Sequence, residues 1–150
     1  MTVGYVTLCV NCLPMGAIKI WGNFMQIILR TATALAALVL LGLGAAFLLV
    51  PDLVMAPLGL RADGAVGLNF MRGDAGASLL VIGALAGRAA LAGDGSKLDI
   101  PVVWALLLLV GRIIGMVVDT GGLSALPLFA LDSGLLIVLL LGRWKMKRAV

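Results

Sequence analysis

Arg72, Asp74, Arg112 and Asp132 are the residues of this chain whose types and positions could do chemistry. Each falls inside a stretch that is otherwise apolar enough to cross a membrane. Arg72 and Asp74 interrupt the run 65–87, Arg112 lies within 100–118, and Asp132 sits near the middle of 123–142. A charged side chain at bilayer depth costs roughly 2.5–3.5 kcal/mol on insertion scales. Such groups therefore face the bundle interior, where they pair with one another or line a cavity that water reaches. Arginine adds a planar fork of donors suited to carboxylate or phosphate. Asn69, one turn before Arg72, and Asp119, at the end of the third run, join the same candidate set. Two readings follow: a salt-bridge network that fixes helix register, or a polar pocket that takes an anionic or polar head group while an apolar tail lies in the bundle.

What the chain lacks narrows the chemistry further. It contains no histidine and no glutamate, which removes the usual general base and the commonest metal ligand. No nucleophile motif of the GxSxG kind is present. Cys9-Val10-Asn11-Cys12 has the spacing of a redox dithiol, or of half an intersubunit metal site. A single such pair cannot supply four metal ligands, and no strand–helix pattern surrounds it, so the pair reads as incidental. The expectation is a non-enzymatic membrane protein: an accessory subunit of a larger complex, a homo-oligomer, or a bundle that binds lipid or quinone. The alternative is a small membrane enzyme or transporter using the intramembrane charges, although four short helices leave little room for alternating access without oligomerisation.

The elements that must position these residues are plain from composition. The 150 residues are 63% hydrophobic and 12% charged, with mean hydropathy +1.20. Soluble domains are about a quarter charged, so this chain cannot keep a water-facing surface. Its apolar runs are continuous, without the alternation of a membrane barrel, and its 20 glycines suit close helix–helix approach. The fold class is an all-α integral membrane four-helix bundle with spans at about 31–50, 65–87, 100–118 and 123–142. Pro51-Asp52 stops the first span, and 53–63 reads as a loop or a short interfacial helix. Gly93–Lys97 is a polar turn, Asp99-Ile100-Pro101 opens the third span, and Asp119–Gly122 is a tight connection.

Lys19, Arg30, Arg88, Lys97, Arg143, Lys145, Lys147 and Arg148 lie on one side of these spans and Arg61 alone on the other. The positive-inside rule then puts both termini and the 93–97 turn in the cytoplasm, with the chain in a bacterial inner membrane. The basic cluster 143–148 reads as an anchor on anionic lipid, not as a nucleic-acid site. Residues 1–24 are expected to be an extension upstream of a start-like Met25-Gln26-Ile27-Ile28, or else an extra N-terminal interfacial helix; the domain proper is 25–150. No basic region precedes 1–13, which argues against a signal peptide.

With that orientation, Arg72 and Asp74 are roughly 10–14 Å deep, Arg112 roughly 9 Å and Asp132 roughly 14 Å, all from the outer side. Helical spacing puts Asn69, Arg72, Gly73 and Gly76 on one stripe, with Asp74 turned away from Arg72. The best partners are Arg72 or Arg112 with Asp132, across helices. Gly83-x-x-x-Gly87 and Gly111-x-x-x-Gly115 permit close backbone contact, within the bundle or between protomers.

From Met25 onward the chain resembles a bacterial family of small four-helix membrane proteins known only as a domain of unknown function, itself distantly DoxX-like. The resemblance rests on Asn69-Phe70-Met71-Arg72-Gly73-Asp74-Ala75-Gly76 and on Gly111-Arg112-x-x-Gly115-x-x-x-Asp119, and covers about 120 residues. The fourth helix carries Asp132 where the family usually has Glu, and Asp119-Thr120-Gly121 stands where it usually has Asp-Gly. The resemblance implies the fold and the start near Met25, and brings no activity with it.

Overall fold

The computed structural model describes residues 15–118 and 126–146. The first helix, α1, runs from Met15 to Leu49 without a break. No proline lies between Pro14 and Pro51, and the run of Leu, Ala, Ile and Val contains nothing else to interrupt it. Residues 15–24 thus continue the first helix and do not form a separate interfacial one. Val50, forced out of helical geometry by the proline that follows it, ends α1 at φ −137°. Pro51 then occupies the first turn of a short helix, α2 (Pro51–Met55).

The second span is one rod with a defect. Helix α3 (Gly64–Phe70) passes into a π-helical segment, Met71–Ala77, which passes into α4 (Ser78–Ala92). It does not stop at Arg88. Gly93 stops it, in the left-handed region at φ +66°. The Gly93 amide donates to Ala90 O and the Asp94 amide to Ala89 O, both at 3.2 Å, the paired bonds of a Schellman C-cap. Asp94 accepts from the Ser96 amide at 3.0 Å and from the Ser96 hydroxyl at 2.7 Å, which opens a 3₁₀ turn, Gly95–Leu98. Helices α5 (Asp99–Val118) and α6 (Leu126–Lys145) complete the fold. Among the described residues there is no strand.

The four rods form two hairpins. Helix α1 packs along the second span, and α5 packs on α6. Gly44 and Gly76 bring the first hairpin to backbone contact, since a Cβ on Gly44 would lie 2.9 Å from Gly76 O. Gly83 repeats this one helical stretch further on, where a Cβ would lie 3.0 Å from the Leu41 amide nitrogen. Gly83-x-x-x-Gly87 therefore packs within the bundle. Gly111 has open space around it.

Among the described residues, the buried contact between the hairpins gathers at one end. Ala37, Ala86, Ala89, Leu98, Ala105, Leu136, Leu139 and Met146 form one buried cluster around the 3₁₀ turn. Leu98 and Leu139 are wholly buried there, with Pro101 and Thr33. The Thr33 hydroxyl donates to Leu29 O at 2.8 Å, so no polar group is stranded. Away from this end the shared core gives out. Helix α3 has no buried residue, those of α5 stop at Ala105, and those of α6 begin at Leu136. In the far half of the second span the π segment packs on α1, while α3 makes no comparable contact with α1, α5 or α6.

Candidate functional site

Arg112 and Asp132 meet. The Arg112 Nε donates to Asp132 Oδ2 at 3.0 Å, and the side chains remain 36% and 18% exposed. Both occupy the inward stripe of their helices. Arg112 stands seven residues beyond buried Ala105, and Asp132 stands four before buried Leu136. At 1.5 Å per residue the pair lies roughly 6–10 Å past the end of the shared core. Ser133, beside Asp132, returns its hydroxyl to Phe129 O at 2.7 Å. The pair is thus held within the second hairpin, at the level where the two hairpins cease to pack together. The Nε bond uses one of five guanidinium donors.

The remaining candidates lie elsewhere. Asn69, Arg72, Gly73 and Asp74 are exposed, while Gly76 is buried against Leu48 and Gly44. The single stripe expected for Asn69, Arg72, Gly73 and Gly76 is therefore not formed. Arg72, Gly73 and Gly76 all lie in the π segment, where Gly76 meets α1 at Gly44 and Leu48 and a Cβ on Gly73 would meet nothing. Among the described residues, Arg72 and Asp74 enter no ion pair. Arg72 and Arg112 belong to different hairpins, so one network of both arginines with Asp132 is not present among these residues. Asp119, Cys9 and Cys12 lie outside the described residues.

Sequence reasoning missed the polar ties at the packed end. Arg30 had entered only as one charge in an orientation count. Its Nε donates to Ala90 O at 3.0 Å and its Nη2 to Leu91 O at 2.9 Å. A cation there satisfies the Leu91 carbonyl, adds a second donor to Ala90 O, which already accepts from the Gly93 amide, and complements the helix dipole. Arg143 pairs with Asp99, and the Gln26 amide reaches Lys145 O at 3.5 Å. The signal in the sequence was the glycine stop at Gly93, which implies exposed carbonyls but not which cation answers them. Hydrogen bonds from Ser96 and the Lys97 ammonium 3.6 Å away hold the Asp94 carboxyl below its ordinary value.

Asn23–Leu49, Gly64–Ala92, Gly95–Val118 and Leu126–Lys145 are each long and apolar enough to cross a membrane. The shortest has 20 residues and reaches ~30 Å, the thickness of a hydrocarbon core. The class is therefore a multi-pass α-helical membrane protein. Comparison with family models, curated proteins and solved structures finds no match to this chain.

Proposed function

We propose that this chain is a non-enzymatic protein of the bacterial inner membrane that holds the head group of a lipid or quinone between its two hairpins, at Arg112 and Asp132. The observation that carries this reading is the inward-facing, largely buried but still solvent-reachable ion pair just beyond the end of the shared core. Beyond that level α3 offers no buried side chain, and apolar groups such as Val66, Phe70, Ile113 and Val117 stay exposed. An acyl or isoprenoid tail fits such surroundings, and the unused guanidinium donors suit a phosphate, carboxylate or carbonyl oxygen. The orientation that goes with it has both termini and the 3₁₀ turn cytoplasmic, on the Lys/Arg asymmetry, so the pair sits in the outer leaflet.

The test is native mass spectrometry of the detergent-purified chain, with lipid and quinone extraction, before and after Arg112→Leu with Asp132→Leu. One bound amphiphile per chain, lost in the double variant while the bundle stays folded, is the expected result. Absence of any bound amphiphile, or its undiminished retention in the double variant, refutes the reading. A second reading, an accessory subunit or homo-oligomer, is favoured by one observation. Gly111 leaves α5 open to backbone approach from outside the bundle. The same spectra would then show a stoichiometric protein partner or a second copy.

A further inference from the structure

At the packed end, where α6 leaves the hydrocarbon, a cleft of about 660 Å³ opens between α6 and the 3₁₀ turn with the start of α5. Leu140 and Leu141 line its apolar side; Arg143, Lys145, Asp99 and Ser96 line its polar side. We propose that this cleft is a binding site for one anionic phospholipid, with the phosphate on Arg143 and Lys145 and an acyl chain along Leu140 and Leu141.

Three observations carry the assignment. First, the cations are held in place. Arg143 is oriented by its bond to Asp99, made through Nε, so its terminal nitrogens still carry donors beyond that contact. The Lys145 ammonium stands 4.2 Å over the Trp144 ring centroid. Second, the depth is that of a head group. Trp144 is 75% exposed at the end of a membrane-crossing helix, the level at which indoles mark the interface. Third, the order of chemistry along α6 is that of a phospholipid: aliphatic at 140 and 141, cationic at 143 and 145. Arg143 and Asp99 together carry no net charge, so the net positive charge of the cleft lies on Lys145, while Arg143 contributes its remaining hydrogen-bond donors to the phosphate. The Ser96 hydroxyl donates to Asp94 at 2.7 Å; its oxygen can still accept from a hydroxylated head group. A zwitterionic lipid would place its own ammonium against these cations and bind less well. The site is separate from Arg112 and Asp132, and its existence does not depend on what lies between the hairpins.

The experiment is native mass spectrometry of the full chain, delipidated and then titrated with phosphatidylglycerol, phosphatidylcholine or inorganic phosphate. Phosphatidylglycerol should be retained at one per chain, well above phosphatidylcholine, and inorganic phosphate should not displace it. Lys145→Gln, a change at an exposed residue whose ammonium lies over the equally exposed Trp144 ring, should weaken retention about fivefold, the effect of one cation near an anionic surface. Arg143→Gln with Lys145→Gln should weaken it by about the square of that factor. Arg61→Gln, the same charge change at the opposite end, should leave retention unchanged. Equal retention of the two lipids, or an equal loss in Arg61→Gln, would overturn the site in favour of general electrostatic attraction. Displacement by inorganic phosphate would show an anion site without a lipid. Because Arg112 and Asp132 are intact in all these variants, any amphiphile between the hairpins should be unaffected.

Discussion

Gly44 and Gly76 face each other across the first hairpin so closely that a Cβ on Gly44 would lie 2.9 Å from Gly76 O and 2.8 Å from the Leu80 amide nitrogen. Both near atoms are backbone and cannot swing aside. Gly44→Ala should therefore force the helices apart and cost about 1–3 kcal/mol, as overpacked cores do. Gly111→Ala, where the new methyl meets nothing, should stabilise by about 0.5–1 kcal/mol through helix propensity. Thermal unfolding in detergent would measure both. A neutral Gly44→Ala would refute the close approach. Dissociation of an oligomer by Gly111→Ala would identify that face of α5 as an interface.

The ion pair of the second hairpin makes a prediction about energetic coupling. Arg112→Ala leaves Asp132 without its partner and should destabilise by about 1–3 kcal/mol, less than for a fully buried pair because both side chains keep some exposure. Arg112→Leu combined with Asp132→Leu should recover much of that loss. Arg72→Ala should cost little. Additive losses in the double variant would show that the two residues do not interact.

Asp94 should contribute to stability against acid. Its carboxyl is held below 3.8 first by the Ser96 side chain, then by the Ser96 amide and Lys97. A depressed folded value means that the ionised form favours the folded state. The contribution is complete above the unfolded value near 3.8 and is lost as pH falls through the lower folded value. Asp94→Ala should therefore destabilise the chain at neutral pH and flatten the acid limb of its stability profile below about pH 4. An unchanged acid limb in the variant would count against Asp94 as its source.

Membrane orientation is testable without any assumption about ligands. Cysteine at Lys97 or Lys145 should resist an impermeant thiol reagent in intact cells and react after permeabilisation, whereas cysteine at Arg61 should react in both cases. Labelling of position 97 from outside would invert the proposed topology.

The role of the first 24 residues can be read from yield. The described side-chain ties of α1 begin at Gln26, Leu29 and Arg30, and residues 23–25 are exposed. A chain beginning at Met25 should insert and accumulate as the full one does. A severalfold fall in either would make the segment structural.

Four spans were legible because a ~30 Å hydrocarbon core imposes a length that few other constraints imitate. Their ends were less so. A helix need not stop where the hydrocarbon does: α1 extends back to Met15 between two prolines, and α4 passes Arg88 to reach Gly93. Depth made Arg72 and Arg112 both candidates for Asp132 without choosing between them; the packing of α5 on α6 makes the choice for Arg112. The exposure of Arg72 did not follow, because the apolar sequence does not say where the packing of the hairpins ends, and nothing in Met71–Ala77 announces a π segment. The separation into two hairpins was equally hidden. It depends on which apolar faces meet, and apolar faces in a membrane chain carry little directional signal.

The ties within each hairpin bear on how the chain is made. Gly44 against Gly76, and Arg30 on the Ala90 and Leu91 carbonyls, are complete once residue 93 has emerged. Arg112 and Asp132 are 20 residues apart and become available together. Neither Arg112 nor Asp132 must wait in lipid for a distant partner, so a translocon can release the chain in two instalments, the second with its intramembrane charges already matched. The docking of one instalment on the other then rests on the apolar cluster around Leu98 and Leu139, with the Gln26 amide on Lys145 O beside it.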